Sequence, residues 1–392
     1  MFNLLSVVHA GKKSMGGFSS SQSMLLLVRT SSFGAAALVL SSAQQRRSFC
    51  LATAPRGAES SSPLLKFGVI ADIQYCDIDD AENFSGTEFR RYRSSLEGAK
   101  KAVERFREEK VDFVAQLGDL IDGQNSGRYG AGLGRGRTAE TALRRVLAVL
   151  NEAGPVYHAI GNHEWMCFSP EDFRKEVPEE KNFYYRIPSA GNNNVQFLVL
   201  NSYEISMELP ENSEGWRRAA EMLQKENPKV VGAKAGTVDF FKDLEGSQLR
   251  FVPFNGAYGE KQLTWLRRHF EEARKEQITT VIFAHTPLHP KAASWRNVNY
   301  DAPEVLDLIE EFKDVVLAVF AGHSHRGGYY FDPKSQVHHT TVQATLTHES
   351  SFGIVDVYHD HLQLRGFGDL PSRTLSLSSS EEKPTAAAKK EE

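Results

Sequence analysis

Short apolar runs that end abruptly on polar residues recur along this chain and set its architecture before any chemistry is considered. Phe67 to Ala71, bounded by Lys66 and Asp72, suits a buried strand. Phe89, Tyr92, Leu96, Ala99, Val103 and Phe106 then repeat at three and four with charges between them, which predicts a helix. Asp112 to Leu117 reads as a strand, Thr138 to Asn151 as a helix and Val156 to Ile160 as a third strand, giving a β-α-β-α-β opening. Val195 to Leu200, Thr279 to Ala284 and Val315 to Phe320 continue the strands, with helices over Gln262 to Lys275 and near Val305 to Phe312. After these the helices stop, and Tyr329 to Phe331, Val337 to Ala344, Gly353 to Val357 and Leu362 to Gly366 are short β runs. The pattern is α/β (α+β): two mixed sheets packed face to face and flanked by helices.

Composition narrows the class of molecule. With 41% hydrophobic and 24% charged residues over 392 positions, the chain is long enough for a sizeable core and is globular in character. Three scattered cysteines, Cys50, Cys76 and Cys167, cannot build a disulfide framework or a cysteine-rich zinc module. The net charge of −4 is unevenly spread: no acid precedes Glu59, so the first 58 residues carry six positive charges and the remainder a net of −10. An acidic body speaks against nucleic-acid binding, which needs clustered Lys and Arg. Residues 1–58, serine-rich and acid-free, have the composition of an organellar transit peptide. The Arg46-Arg47 pair before Ser48, Phe49 and Cys50 points to the mitochondrion, while serine abundance keeps a plastid open. A plain disordered extension, leaving a cytoplasmic protein, is the third reading. Met24 to Val28 and Gly34 to Leu40 are too short to span a membrane. One domain is expected over 64–370 and a disordered tail over 372–392, in a monomer that engages neither membrane nor nucleic acid.

The chemistry lies at strand ends. Asp72-Ile73-Gln74, Gly118-Asp119-Leu120-Ile121-Asp122, Gly161-Asn162-His163-Glu164, His285 and Gly322-His323-Ser324-His325 each follow an expected strand directly. Strand C-termini converging on a crevice are where open α/β sheets place their sites. Mixed carboxylate, amide and imidazole donors suit Mn²⁺, Fe or Zn. A shared carboxylate would hold two such ions about 3.5–4 Å apart. Asp119 is the candidate bridge, with Asp72, Gln74 and His325 completing one site and Asn162, His285 and His323 the other. His323 and His325, two apart in an extended segment, would face the same side. Tyr75 or Phe84 could stack on a nucleobase. His158 reads as a core histidine, and His289, His338, His339 and His348 are not taken as ligands. Cys76 and Cys167 read as bystanders, and the glycines at 130, 132, 134 and 136 as a surface loop without the ending of a phosphate-binding motif.

In this order the blocks resemble those of the calcineurin-like binuclear metallophosphoesterases: D-x-H, GD-x-x-D, GNH-D/E, H and GH-x-H. Gln74 departs from the usual histidine of the first block, and Gln there, within Phe67-Gly68-Val69-Ile70-Ala71-Asp72-Ile73-Gln74-Tyr75, is similar to the manganese-dependent ADP-ribose/CDP-alcohol diphosphatases. Arg91-Tyr92-Arg93, Glu221-Met222-Leu223 with Asn227-Pro228, Phe254-Asn255-Gly256 and Gly327-Gly328-Tyr329 agree with that branch. The resemblance implies a four-layer αββα sandwich and two divalent ions, Mn²⁺ foremost because an amide replaces a nitrogen donor. It implies in-line attack on phosphorus by a metal-bridging hydroxide, with His163 stabilising charge or protonating the leaving phosphate. Glu164 and Asp122 would support the site without binding metal. The expected substrates are ADP-ribose and CDP-alcohols such as CDP-choline and CDP-glycerol. The alternatives are another phosphodiesterase or phosphomonoesterase, including a protein phosphatase, and an inactive scaffold of the same fold.

Overall fold

The computed structural model describes residues 62–83, 86–126, 137–177, 183–188, 194–233 and 237–376. The expectations for residues 1–58, for the glycine-rich loop and for Phe84 lie outside them. Two six-stranded mixed sheets dominate. The first runs Arg373–Ser376, His361–Phe367, Phe352–Val357, Leu65–Ile70, Phe113–Gln116, Val156–His158, with its last three strands parallel. The second runs Gly328–Asp332, Val337–Thr341, Val316–Ala321, Thr279–Phe283, Val195–Val199, Tyr185–Arg186, parallel in its middle four and closed by antiparallel edges.

Side-chain alternation explains the layering. Along the first strand Leu65, Phe67 and Val69 point between the sheets while Ile70 faces the helices. Phe67 sits at the centre, with ring centroids of Phe113, Phe197, Phe283 and Phe320 between 5.3 and 5.8 Å away. On the outer face of the first sheet pack the helices Ser95–Glu109 and Arg137–Leu150 through Ala99, Val103, Phe106, Leu143 and Val146. On the other outer face Gly259–Glu276 and Ala302–Glu311 bury Leu266, Phe270, Val305 and Ile309. This is the expected four-layer order. No helix among the described residues is long and apolar enough to cross a membrane.

Three expectations need correction. The helix read from Phe89 begins only at Ser95, because Phe89–Arg90 pairs with Ala81–Glu82 as a two-stranded ribbon and Phe89 is 50% exposed. The tail read from 372 opens with a strand: Arg373–Ser376 pairs with His361–Phe367, and Leu375 is fully buried between the sheets, while its remainder, 377–392, lies outside the described residues. His323 and His325 do not lie in an extended segment. They sit in a tight turn, with His323 at φ 64°, and face different neighbours.

Candidate metal centre

Each block emerges from a strand of the parallel core, and three of the five enter a turn too tight for ordinary backbone. Asp72, Gln74, Asp119 and His323 all have positive φ, between 43° and 64°, a conformation that non-glycine residues hold only where the surroundings impose it. Two glycines make the close approach possible. A Cβ on Gly161 would lie 2.0 Å from Asp119 Oδ1, and one on Gly322 would lie 2.5 Å from Asp72 Oδ2. The backbone then locks the carboxylates: the His323 amide donates to Asp72 Oδ2 at 2.9 Å and the His163 amide to Asp119 Oδ1 at 2.9 Å.

The other oxygen of Asp119 is where the two halves meet. Asp119 Oδ2 lies 2.8 Å from Gln74 Nε2, 3.5 Å from His285 Nε2 and 3.8 Å from His163 Nε2. Among the described residues, Asp119, His285 and His323 offer ligand atoms within 4.8 Å of one another. Gln74 and His325 stand on the opposite flank, 3.1 Å apart, with His325 Nε2 3.9 Å from Asp72 Oδ1. Asn162 opens the helix Asn162–Cys167, and its Oδ1 accepts from the Tyr203 hydroxyl at 3.2 Å.

Hydrogen bonds assign the proton on each imidazole. His285 Nδ1 donates to the Leu117 carbonyl at 2.7 Å, leaving Nε2 as a lone pair. Asn255 spends both amide hydrogens on the Arg250 and Arg296 carbonyls, so its Oδ1 accepts from His323 Nε2 at 3.0 Å. The lone pair of His323 is therefore on Nδ1, 3.1 Å from His285 Nε2. Burial lowers the pKa of both rings. Two lone pairs facing each other at that distance repel, and a cation between them turns the repulsion into ligation. Gln74 Oε1, buried and without a partner, would be satisfied by a bound cation as well.

Charge makes the same demand. Burial, then the charge of Asp119, raises the Asp72 pKa well above its usual value. Burial and Asp119 also push Glu164 up to about 8, against the pull of the Gly161, Asp119 and Leu120 amides that its carboxylate accepts. Burial opposes ionisation of Asp119 too, but His285 and His163 outweigh it and hold the pKa down. A low-dielectric site with this much carboxylate is balanced by divalent cations. Glu164 ties three amides of the metal turns together and Asp122 lies 3.6 Å from His163 Nδ1, which places both as supports.

Two of the metal-site partners were not found in the sequence. Glu88 accepts from His325 Nδ1 at 3.0 Å, and burial is overcome by His325 and Arg90, which hold its carboxyl at about 2. This carboxylate–imidazole pair orients the His325 lone pair toward the centre. Glu88 rides on the Phe89–Arg90 ribbon, 237 residues from His325, and carries no local signature. Asn255 belongs to a stretch that the resemblance singled out without a role. The Glu88→Ala protein is expected to bind divalent metal about 10- to 100-fold more weakly in a calorimetric titration; unchanged affinity would remove Glu88 from the centre.

Tyr75 is a correction. It is 3% exposed, packs in the helix-side core and accepts from Arg145 through its hydroxyl at 2.9 Å, so it shows no ring face to a base. Phe254 instead lines the cavity, its ring centroid 5.9 Å from that of His323. Cys76 and Cys167 lie beneath the site; burial raises both thiols, Cys76 to about 12. His158 is buried and hydrogen-bonded to Gln116, its pKa lowered to about 4 by burial.

An aspartate between two sets of oxygen and imidazole donors, on the strand ends of a double-sheet sandwich, defines a metal-dependent phosphoesterase. The chain belongs to the calcineurin-like phosphoesterase family, whose sequence pattern matches residues 65–327. Among its relatives, a manganese-dependent ADP-ribose/CDP-alcohol diphosphatase from Bos taurus is 32% identical over 81% of this chain and 96% of its own length. One from Arabidopsis thaliana is 32% identical over 79% and 96%. The crystal structure of a dimetal phosphatase from Danio rerio superposes with a TM-score of 0.72 at 30% identity, covering 81% of this chain and all of that one.

Proposed function

We propose that this protein is a manganese-dependent hydrolase of the pyrophosphate bond in small nucleoside diphosphate derivatives. Its substrates are ADP-ribose or CDP-alcohols such as CDP-choline and CDP-glycerol, and a nucleoside monophosphate is released. The observation that carries this reading is the uniformity of the match. Eight relatives with one shared activity are 30–32% identical to this chain and are covered over 90–99% of their length. The cavity over the centre supports it, with about 410 Å³ bounded by Gln74, Asp119, Asn162, His323 and His325 of the metal donors, by Met166 and Phe254, and by Arg90 and Arg326, a size suited to a small ligand.

Asp72, Gln74 and His325 would hold one ion and Asn162, His285 and His323 the other, with Asp119 between them. The hard-to-borderline donor set, with an amide at Gln74, favours manganese. Bound there, divalent ions supply Lewis-acid charge at phosphorus and lower the pKa of water. The protein supplies the rest: Asp119 and Asp72 stay fixed by backbone amides, Asn255 and Glu88 keep the imidazole lone pairs aimed inward, and His163 presents Nε2 to the cavity.

The test is turnover of ADP-ribose, CDP-choline and p-nitrophenyl phosphate by the full chain, stripped of metal and resupplied with Mn²⁺, Mg²⁺ or Zn²⁺. Mn²⁺-dependent release of AMP or CMP is expected. Cleavage of the aryl phosphate alone would keep the phosphoesterase and discard the diphosphatase.

A further inference from the structure

Two guanidinium groups line the cavity, and their surroundings differ. Arg90 is committed to carboxylates: its Nε donates to Glu88 Oε2 at 3.1 Å and its Nη1 lies 3.6 Å from Asp122 Oδ2. Its charge is balanced there, and through Glu88 it serves His325. Arg326 is exposed and, among the described residues, has no carboxylate within ion-pair distance.

The backbone beneath Arg326 is held firmly. The Ser324 amide donates to Gly322 O and the Gly327 amide to Ser324 O, each at 2.7 Å, and the Ala344 amide donates to His325 O at 3.0 Å. Gly327 turns at φ 65°, where a Cβ would strike the Gln343 side chain at 2.6 Å. An anchored turn therefore places an uncompensated guanidinium one residue beyond the metal-facing His325, while its long side chain remains free to reach over the opening.

The proposed substrate has two anionic phosphoryl groups joined by one oxygen. The group under attack belongs at the metal donors, and its neighbour carries its charge beyond them. We infer that Arg326 binds this non-reacting phosphoryl group, and that it is the residue by which the site distinguishes a diphosphate from a phosphate monoester. The planar fork of a guanidinium matches two phosphoryl oxygens, and such a charge-assisted pair is stronger than a neutral hydrogen bond. The inference rests on the diphosphatase reading above and names the contact that makes that reading selective.

The experiment measures kcat/KM for ADP-ribose and for p-nitrophenyl phosphate with Mn²⁺, using the full chain, Arg326→Gln and Arg326→Lys. The ratio of ADP-ribose to aryl phosphate is expected to fall about 10- to 100-fold in Arg326→Gln, mainly through KM, and to recover in part in Arg326→Lys. A ratio that stays at the wild-type value in Arg326→Gln, whether or not both activities drop together, overturns the inference. If the wild-type protein does not cleave ADP-ribose, the diphosphatase reading fails separately. Arg326 is then judged by inhibition of aryl phosphate turnover with α,β-methylene-ADP. Weaker inhibition by this analogue in Arg326→Gln, with inhibition by inorganic phosphate unaltered, supports the contact; equal inhibition in both proteins refutes it.

Discussion

Asp119→Asn should abolish turnover, with kcat/KM falling by at least about a thousandfold, roughly 4 kcal/mol of barrier. The substitution keeps the shape of the side chain and leaves an oxygen to accept the His163 amide, so the local turn can persist. What it removes is the negative charge at the atom approached by Gln74 on one flank and His285 on the other. A neutral amide replaces the carboxylate that, together with His285 and His323, would hold a common ion. A thermal melt separates this loss from misfolding. Mn²⁺ should raise the melting temperature of the wild-type protein, since a ligand that binds only the folded state stabilises it. The variant should fold but show a much smaller metal-induced shift. Near-normal activity, or an undiminished shift, would show that Asp119 is not the shared carboxylate.

How much of this centre could be read in advance depends on whether each residue's role is local. Phe67 and Val69 alternate with Ile70 because a strand buried on both faces packs one side against a sheet and the other against helices, and that run is visible as text. The ligand blocks were legible because a parallel sheet delivers its strand ends to one edge, so residues far apart in sequence share a crevice by topology alone. Conformation within a block was not legible. The positive φ of Asp72, Gln74 and His323 comes from tertiary hydrogen bonds, such as the Gln74 amide donating to Asp119 O at 2.9 Å, and no local propensity announces it. For that reason, spacing alone gave the wrong account of His323 and His325. Glu88 and Asn255 were hidden differently. Each acts on the far nitrogen of a histidine from a remote ribbon or loop, and a lone acid or amide there looks like any solvated residue. Tyr75 follows Gln74 directly, yet the left-handed turn sends its side chain to the opposite face, into the helix-packed core.

Replacing His163 with Gln should lower kcat by about 10²- to 10³-fold, the scale for a lost donor to developing charge. The Gly123 amide donates to His163 Nδ1 at 2.6 Å, so in the neutral ring the proton resides on Nε2. That nitrogen lies 3.8 Å from Asp119 Oδ2, and the ring lines the cavity. The imidazole thus presents a donor beside the metal ligands without belonging to them. Its main chain, which anchors Asp119, is untouched by the substitution, so metal binding should remain close to wild type in a titration. Two roles fit this placement: protonating the departing oxygen, or stabilising charge on phosphoryl oxygens that stay behind. A series of aryl phosphates of increasing leaving-group basicity separates them. Loss of a general acid penalises basic leaving groups most, so a steeper fall of log kcat along the series in His163→Gln than in the wild-type protein would assign His163 to proton donation. A uniform loss across the series, the expected result, assigns His163 to charge stabilisation, and no loss would place the ring outside the reaction. The Gly123 amide favours charge stabilisation, because a neutral ring whose Nδ1 already accepts a hydrogen bond can donate one from Nε2 but would become an imidazolate if it gave that proton up.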